Sequence, residues 1–147
     1  MKSVLAVLLC LLSLSASAQD LYMVRSSLAF PETMALLQQT ITEHGLKVSH
    51  VQRVDIGLTT FGYQTDKYRV VFFGDIGEIR QTAAQYPELL PYLPLKIAIF
   101  AEGDETILLA SSFAHLRNNY RSPDLQLRFD RWESSIQGIL EAVRTAE

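Results

Sequence analysis

Two apolar runs of strand length, LKIAIFAE (95–102) and TILLASSF (106–113), lie on either side of Gly103-Asp104. A two-residue Gly-x loop between such runs suits a type II′ hairpin, so this part of the chain commits to antiparallel pairing. Alternation sends Leu95, Ile97 and Ile99 to one face, and Leu108 and Ala110 also need cover. A second apolar surface must supply it. Residues 122–143 offer one. Ser122-Pro123-Asp124 reads as a helix start, with a cap, a proline at the first position and an acid in the first turn. Phe129, Trp132, Ile136, Ile139 and Val143 then recur at spacings of three and four, a core-facing stripe on a helix of about 20 residues.

The rest of the chain supplies more of both elements. LYMVRSSL (21–28) reads as a first strand. FPETMALLQQTITEHG (30–45) is a helix that Pro31 opens, Glu32 supports at the positive end of the dipole, and Gly45 stops. LKVSHVQRV (46–54) is a second strand, and YRVVFFG (68–74) is apolar enough to lie centrally in a sheet. Between them, residues 55–67 carry no clear pattern, and GYQTDK (62–67) is the turn. Asp75 and Glu78 have capping-box spacing at the start of a helix that Pro87 ends. Pro91 and Pro94 bias Leu90 and Leu93 toward extended backbone before the hairpin begins. AHLRNNYR (114–121) reads as a loop. The order is β-α-β-β-α-β-β-α. It predicts an α+β fold with a mainly antiparallel sheet covered by helices, distinct from a doubly wound nucleotide fold.

The N-terminus has the form of a signal peptide. Lys2 precedes an apolar run of eleven residues, Val4 to Leu14, and Ala16-Ser17-Ala18 is a small-x-small cleavage site. The run is too short to span a bilayer. Cleavage after Ala18 leaves 129 residues, 19–147, expected to form one soluble domain in the periplasm or outside the cell, with no membrane partner. That segment has no cysteine, because Cys10 is the only one in the sequence. Thiol catalysis, zinc–cysteine centres, iron–sulfur clusters and covalent haem attachment are thereby excluded. It carries 12 basic and 16 acidic residues, well mixed, with no basic block that would suit nucleic acid.

Motifs that carry chemistry are sparse. His44, His50 and His115 lack metal-ligand spacing. SSFAH (111–115) holds two serines and a histidine without a nucleophile elbow. FGDIGE (73–78) opens a helix, but Asp75 and Glu78 compete for the N–H groups that a phosphate would need. Arg128 and Arg131 flank the Phe129/Trp132 stripe and are expected to fringe the core with their stems. No catalytic, cofactor-binding or metal-binding residue is assigned. The ligand-contact candidates are His50, His115, Arg53 and Asp55.

VVFFGD (70–75), YPELLPYLPLKIAIFAEGDE (86–105) and LLASSF (108–113) taken together resemble the domain-of-unknown-function 302 family. The matches are Phe73-Gly74, Pro87 and Leu93-Pro94-Leu95-Lys96, and the likeness extends over about 21–143. Two positions depart from the family pattern. Arg53-Val54, with Asp55 next, stands where the family often has Asp-His, and Asp75-Ile76 follows the F-G in place of N-P. The resemblance implies an α+β domain and homodimers, and it supplies no reaction, substrate or cofactor. The expected function is a non-enzymatic binding or interaction module for a small ligand or a protein. The alternative is a periplasmic enzyme or metal-dependent protein that pairs His50 or His115 with a carboxylate.

Overall fold

The computed structural model describes residues 21–146. The signal-peptide expectation for 1–18 lies outside them. Five strands, β1 (Leu21–Ser26), β2 (Lys47–Arg53), β3 (Tyr68–Gly74), β4 (Leu95–Glu102) and β5 (Glu105–Ser111), form one sheet in the order β1-β5-β4-β3-β2. Every neighbouring pair is antiparallel, as the hairpin signals predict. Gly103 has φ +61° and Asp104 does not share a positive φ, which fits the II′ turn that joins β4 to β5.

The long helices α1 (Phe30–Glu43) and α5 (Pro123–Thr145) bury one sheet face. Leu95, Ile97, Ile99, Val71, Phe73 and Leu108 pack under them, and all five residues of the predicted α5 stripe are buried. At the N-terminus of α1 Glu32 reaches back to accept from the Ala29 N–H at 3.1 Å. At its C-terminus Leu46 N–H donates to Ile41 O and Gly45 N–H to Thr42 O, a Schellman closure. Among the described residues no helix covers the other sheet face. Leu21 and Met23 are more than half exposed there, in line with Val70, Ala98, Phe100 and Leu109.

Local signals were overridden where side chains found better partners. Asp75 caps α3 (Ile76–Gln85) by accepting from Glu78 N–H at 2.7 Å. Glu78 does not complete the box. Its carboxylate accepts instead from the Trp132 indole at 2.8 Å and pairs with Arg131. Ser122 precedes α5 without capping it, and its hydroxyl lies 3.3 Å from Tyr86 Oη. Arg128 does not fringe the core. It is buried, and its guanidinium donates to Thr82 Oγ1, Gln85 and Asp124. Residues 87–92 form a 3-10 turn that includes Leu90, so only Leu93 is extended. The Leu93–Pro94 bond that follows is cis. Two short helices occupy stretches read as irregular or loop, α2 (Val54–Thr60) and α4 (Ala114–Asn119).

Gly74, in the F-G pair, is a close-approach position. A Cβ there would stand 2.6 Å from Ile79 Cδ1, and its φ is +157°. The expected result of Gly74→Ala is a loss of about 1–2 kcal/mol, since a new methyl meets a filled site in an unfavourable backbone conformation. Urea denaturation checks this, and an unchanged midpoint contradicts it.

Candidate ligand-binding site

A cavity of about 270 Å³ opens where the 3-10 turn, α4 and the adjacent ends of β4 and β5 meet. Its floor is apolar, made by buried Leu95, Phe113, Leu116 and, from α5, Ile136. Exposed Tyr92, Lys96, Ser111 and His115 stand at the rim. Each arrives from a different local cause. Proline at the start of the 3-10 turn, together with Pro91 inside it, shapes the backbone that presents Tyr92. The alternation that buries Leu95 and Ile97 turns Lys96 to the opposite face. Leu116 anchors α4 in the core, and Arg117 ties it to α5 through Asp130 at 2.7 Å and Glu133 at 2.6 Å. His115 is held on that helix, its ring 5.7 Å from the Tyr92 ring.

Glu133 is the pivot of this brace, because it also accepts from Tyr22 Oη at 2.6 Å. Burial pushes its carboxyl up, and the hydrogen bonds from Tyr22 and Arg117 overcome this, so it ends below the usual glutamate range. A folded-state value below the unfolded one stabilises the fold above the unfolded value and is lost as pH falls through the folded one. As pH falls below the ordinary glutamate range the wild type is therefore expected to lose stability more steeply than Glu133→Gln. Urea midpoints over that fall in pH test this, and parallel pH profiles contradict it.

The four residues singled out from sequence do not converge. His115 lines the cavity, whereas His50, Arg53 and Asp55 do not. His50 lies on the helix-free face because β2 shifts register between Val48 and His50. Strict alternation would have put both on one face; the bulge at Ser49 sends them to opposite faces. The His50 imidazole sits 3.2 Å from Gln52 Oε1 and 6.1 Å from the Phe72 ring. Arg53 occupies the cap position of α2. Asp55 pairs with Arg69, whose guanidinium lies 5.8 Å from the Phe30 ring. The hydrogen bond from Arg69 holds the Asp55 carboxyl below its ordinary value. His44 is committed to the end of α1, with Nδ1 2.9 Å from Thr40 O.

Sequence reasoning missed Lys96, Tyr92 and Ser111 as site residues. The available signal was Lys96 itself, a cation on the face of β4 that Ala98 and Phe100 share. Among the described residues every ion pair is made by an arginine, so Lys96 has no carboxylate partner. Its ammonium lies 3.4 Å from Pro91 O and 6.0 Å from the Phe72 ring. Ser112, beneath the rim, is buried and accepts from Ala114 N–H at 3.4 Å. Neither serine is hydrogen-bonded to His115, and no carboxylate among the described residues orients that ring. No group of three or more His, Cys, Asp or Glu among those residues is placed to hold a metal ion.

The fold has a solved counterpart. The crystal structure of an uncharacterized conserved protein, DUF302, from Bacillus stearothermophilus superposes with a TM-score of 0.75 at 19% identity. The match covers 86% of this chain and 100% of that one. No curated protein matches the sequence. The family described as Domain of unknown function DUF302 matches residues 22–143, and with Phe73-Gly74 ending β3 and Leu93-Pro94-Leu95-Lys96 leading into β4 of the antiparallel sheet, the chain belongs to that family.

Proposed function

We propose that the chain is an exported, non-enzymatic binding module whose site is the cavity between the 3-10 turn and α4. The observation that carries this reading is the cavity's make-up. An apolar floor lies beneath a rim whose polar side chains have few protein partners. This is the usual arrangement of a small-molecule site, in which apolar area supplies affinity and a few polar groups fix orientation. A nucleophile held by an oriented base, the arrangement that covalent catalysis needs, has no counterpart at the rim. The test is a screen of small amphipathic molecules read by chemical shifts on the mature protein. Shifts clustered at residues 91–96 and 111–116 support the proposal. Shifts confined to other surfaces contradict it, as does a defined reaction abolished by His115→Ala.

The helix-free sheet face favours a second reading, in which two copies pack through it. Leu21 at 53% and Met23 at 62% exposure lie on an apolar face of the kind that marks interaction surfaces. Sedimentation of the mature chain at micromolar concentration tests this. A dimer that Met23→Lys dissociates supports it, and a monomer contradicts it. Export rests on the sequence pattern of residues 1–18. A mature N-terminus at Gln19 in the secreted protein is the expected result, and an intact Met1 contradicts it.

A further inference from the structure

We infer that the cavity takes a small monoanion with an apolar body, such as a short-chain carboxylic acid, and that Lys96 is its charge anchor. This inference rests on the binding-module reading and adds the chemical class of the ligand. Among the described residues Lys96 is the only lysine or arginine that lines the cavity, and no Asp or Glu lines it. The sequence as a whole is acidic, with a net charge of −3, so the cavity is locally of opposite sign to the chain that contains it. The arginines of the described residues that form ion pairs are committed to carboxylates, whereas the Lys96 ammonium has a long contact to the Pro91 carbonyl and stands 6.0 Å from the Phe72 ring.

The lining is divided between rim and floor. The exposed rim offers the Lys96 ammonium, the Ser111 and Tyr92 hydroxyls and the His115 imidazole, each a group that can donate a hydrogen bond to a carboxylate. The floor of Leu95, Phe113, Leu116 and Ile136 offers nothing polar from its side chains. A ligand that satisfies both regions is charged at one end and apolar at the other. The volume of about 270 Å³ falls just under the range of drug-sized sites, which suits a short-chain acid.

The experiment compares three probes of one length, octanoate, 1-octanol and octylamine, by calorimetry and chemical-shift mapping on the mature protein. Octanoate is expected to bind with a dissociation constant of about 1 mM or tighter and to shift residues 91–96 and 111–116. Lys96→Gln, at an exposed position, is expected to weaken octanoate by about tenfold and leave 1-octanol unchanged. Octylamine or 1-octanol binding in the cavity as tightly as octanoate overturns the charge assignment while the cavity remains a binding site. An octanoate affinity unaltered by Lys96→Gln overturns the anchor role. Octanoate that fails to bind, or that shifts only residues elsewhere, overturns the inference. The amphipathic screen decides separately whether the cavity binds anything.

Discussion

Phe129→Ala is expected to lower the unfolding free energy by about 3–5 kcal/mol, the range for removing a fully buried aromatic ring. Phe129 has no exposed surface. Its ring stacks on Phe113 at 5.5 Å and 12°, and Trp132 leans on both at 5.6 and 5.9 Å. The three rings join α5 to the segment that leads from β5 into α4. They cannot close over a missing ring by small shifts, because Phe113 is also part of the cavity floor and Trp132 is fixed through its indole to Glu78. Truncation thus removes aromatic contact and joins a new void to the existing cavity. Urea denaturation with an unchanged slope measures the effect. Phe129→Leu, which refills most of the volume, is expected to lose less than half as much. A loss below about 1 kcal/mol for the alanine variant would show that the aromatic cluster is not the keystone of the core.

Arg128→Ala is expected to cost about 2–4 kcal/mol, from unpaired buried acceptors and lost packing together. The guanidinium is buried between α5 and α3, where it serves Thr82 Oγ1, Gln85 Oε1 at 3.1 Å and Asp124 Oδ2 at 3.1 Å. Thr82 is itself fully buried, so its hydroxyl has no route to bulk water once the arginine is gone. Asp124 is half exposed and is rehydrated without penalty, which keeps the loss below that of an orphaned buried charge. Arg128→Met separates the two contributions, since it keeps the stem and removes the donors. Adding Thr82→Val to Arg128→Met is expected to recover part of the stability by removing an acceptor that no longer has a donor. An Arg128→Ala protein within about 0.5 kcal/mol of wild type would contradict the account, because that is the scale of a plain surface substitution.

Arg128 also shows where sequence pattern stops informing. Its place beside the Phe129/Trp132 stripe suggested a stem along the core edge, and only the approach of α3 turns that edge into an enclosed polar site. Strong periodicity carried well. The hairpin around Gly103-Asp104, the α5 stripe and the Gly45 stop all follow from local chemistry that tertiary contacts reinforce. The short helices did not carry. α2 buries none of its residues and contains Gly57, so no apolar stripe announces it. α4 is mostly polar, and what holds it is one buried leucine and the Arg117 brace to another helix. The bulge at Ser49 has no composition signal, yet it decides which face His50 occupies. For the candidate site, His115 was legible as a titratable group near the hairpin's end. Lys96 and Tyr92 were legible only as parts of a proline-rich run, because their convergence depends on how the 3-10 turn folds back beside α4.

The measurement that bears most directly on the binding-module account is an electron-density map of the mature chain, purified from an exporting host without stripping small molecules. The account predicts non-protein density above Phe113 and Leu116, bounded by Tyr92, Lys96 and His115. A cavity closed by its own side chains, or a ligand held elsewhere on the surface, would contradict it.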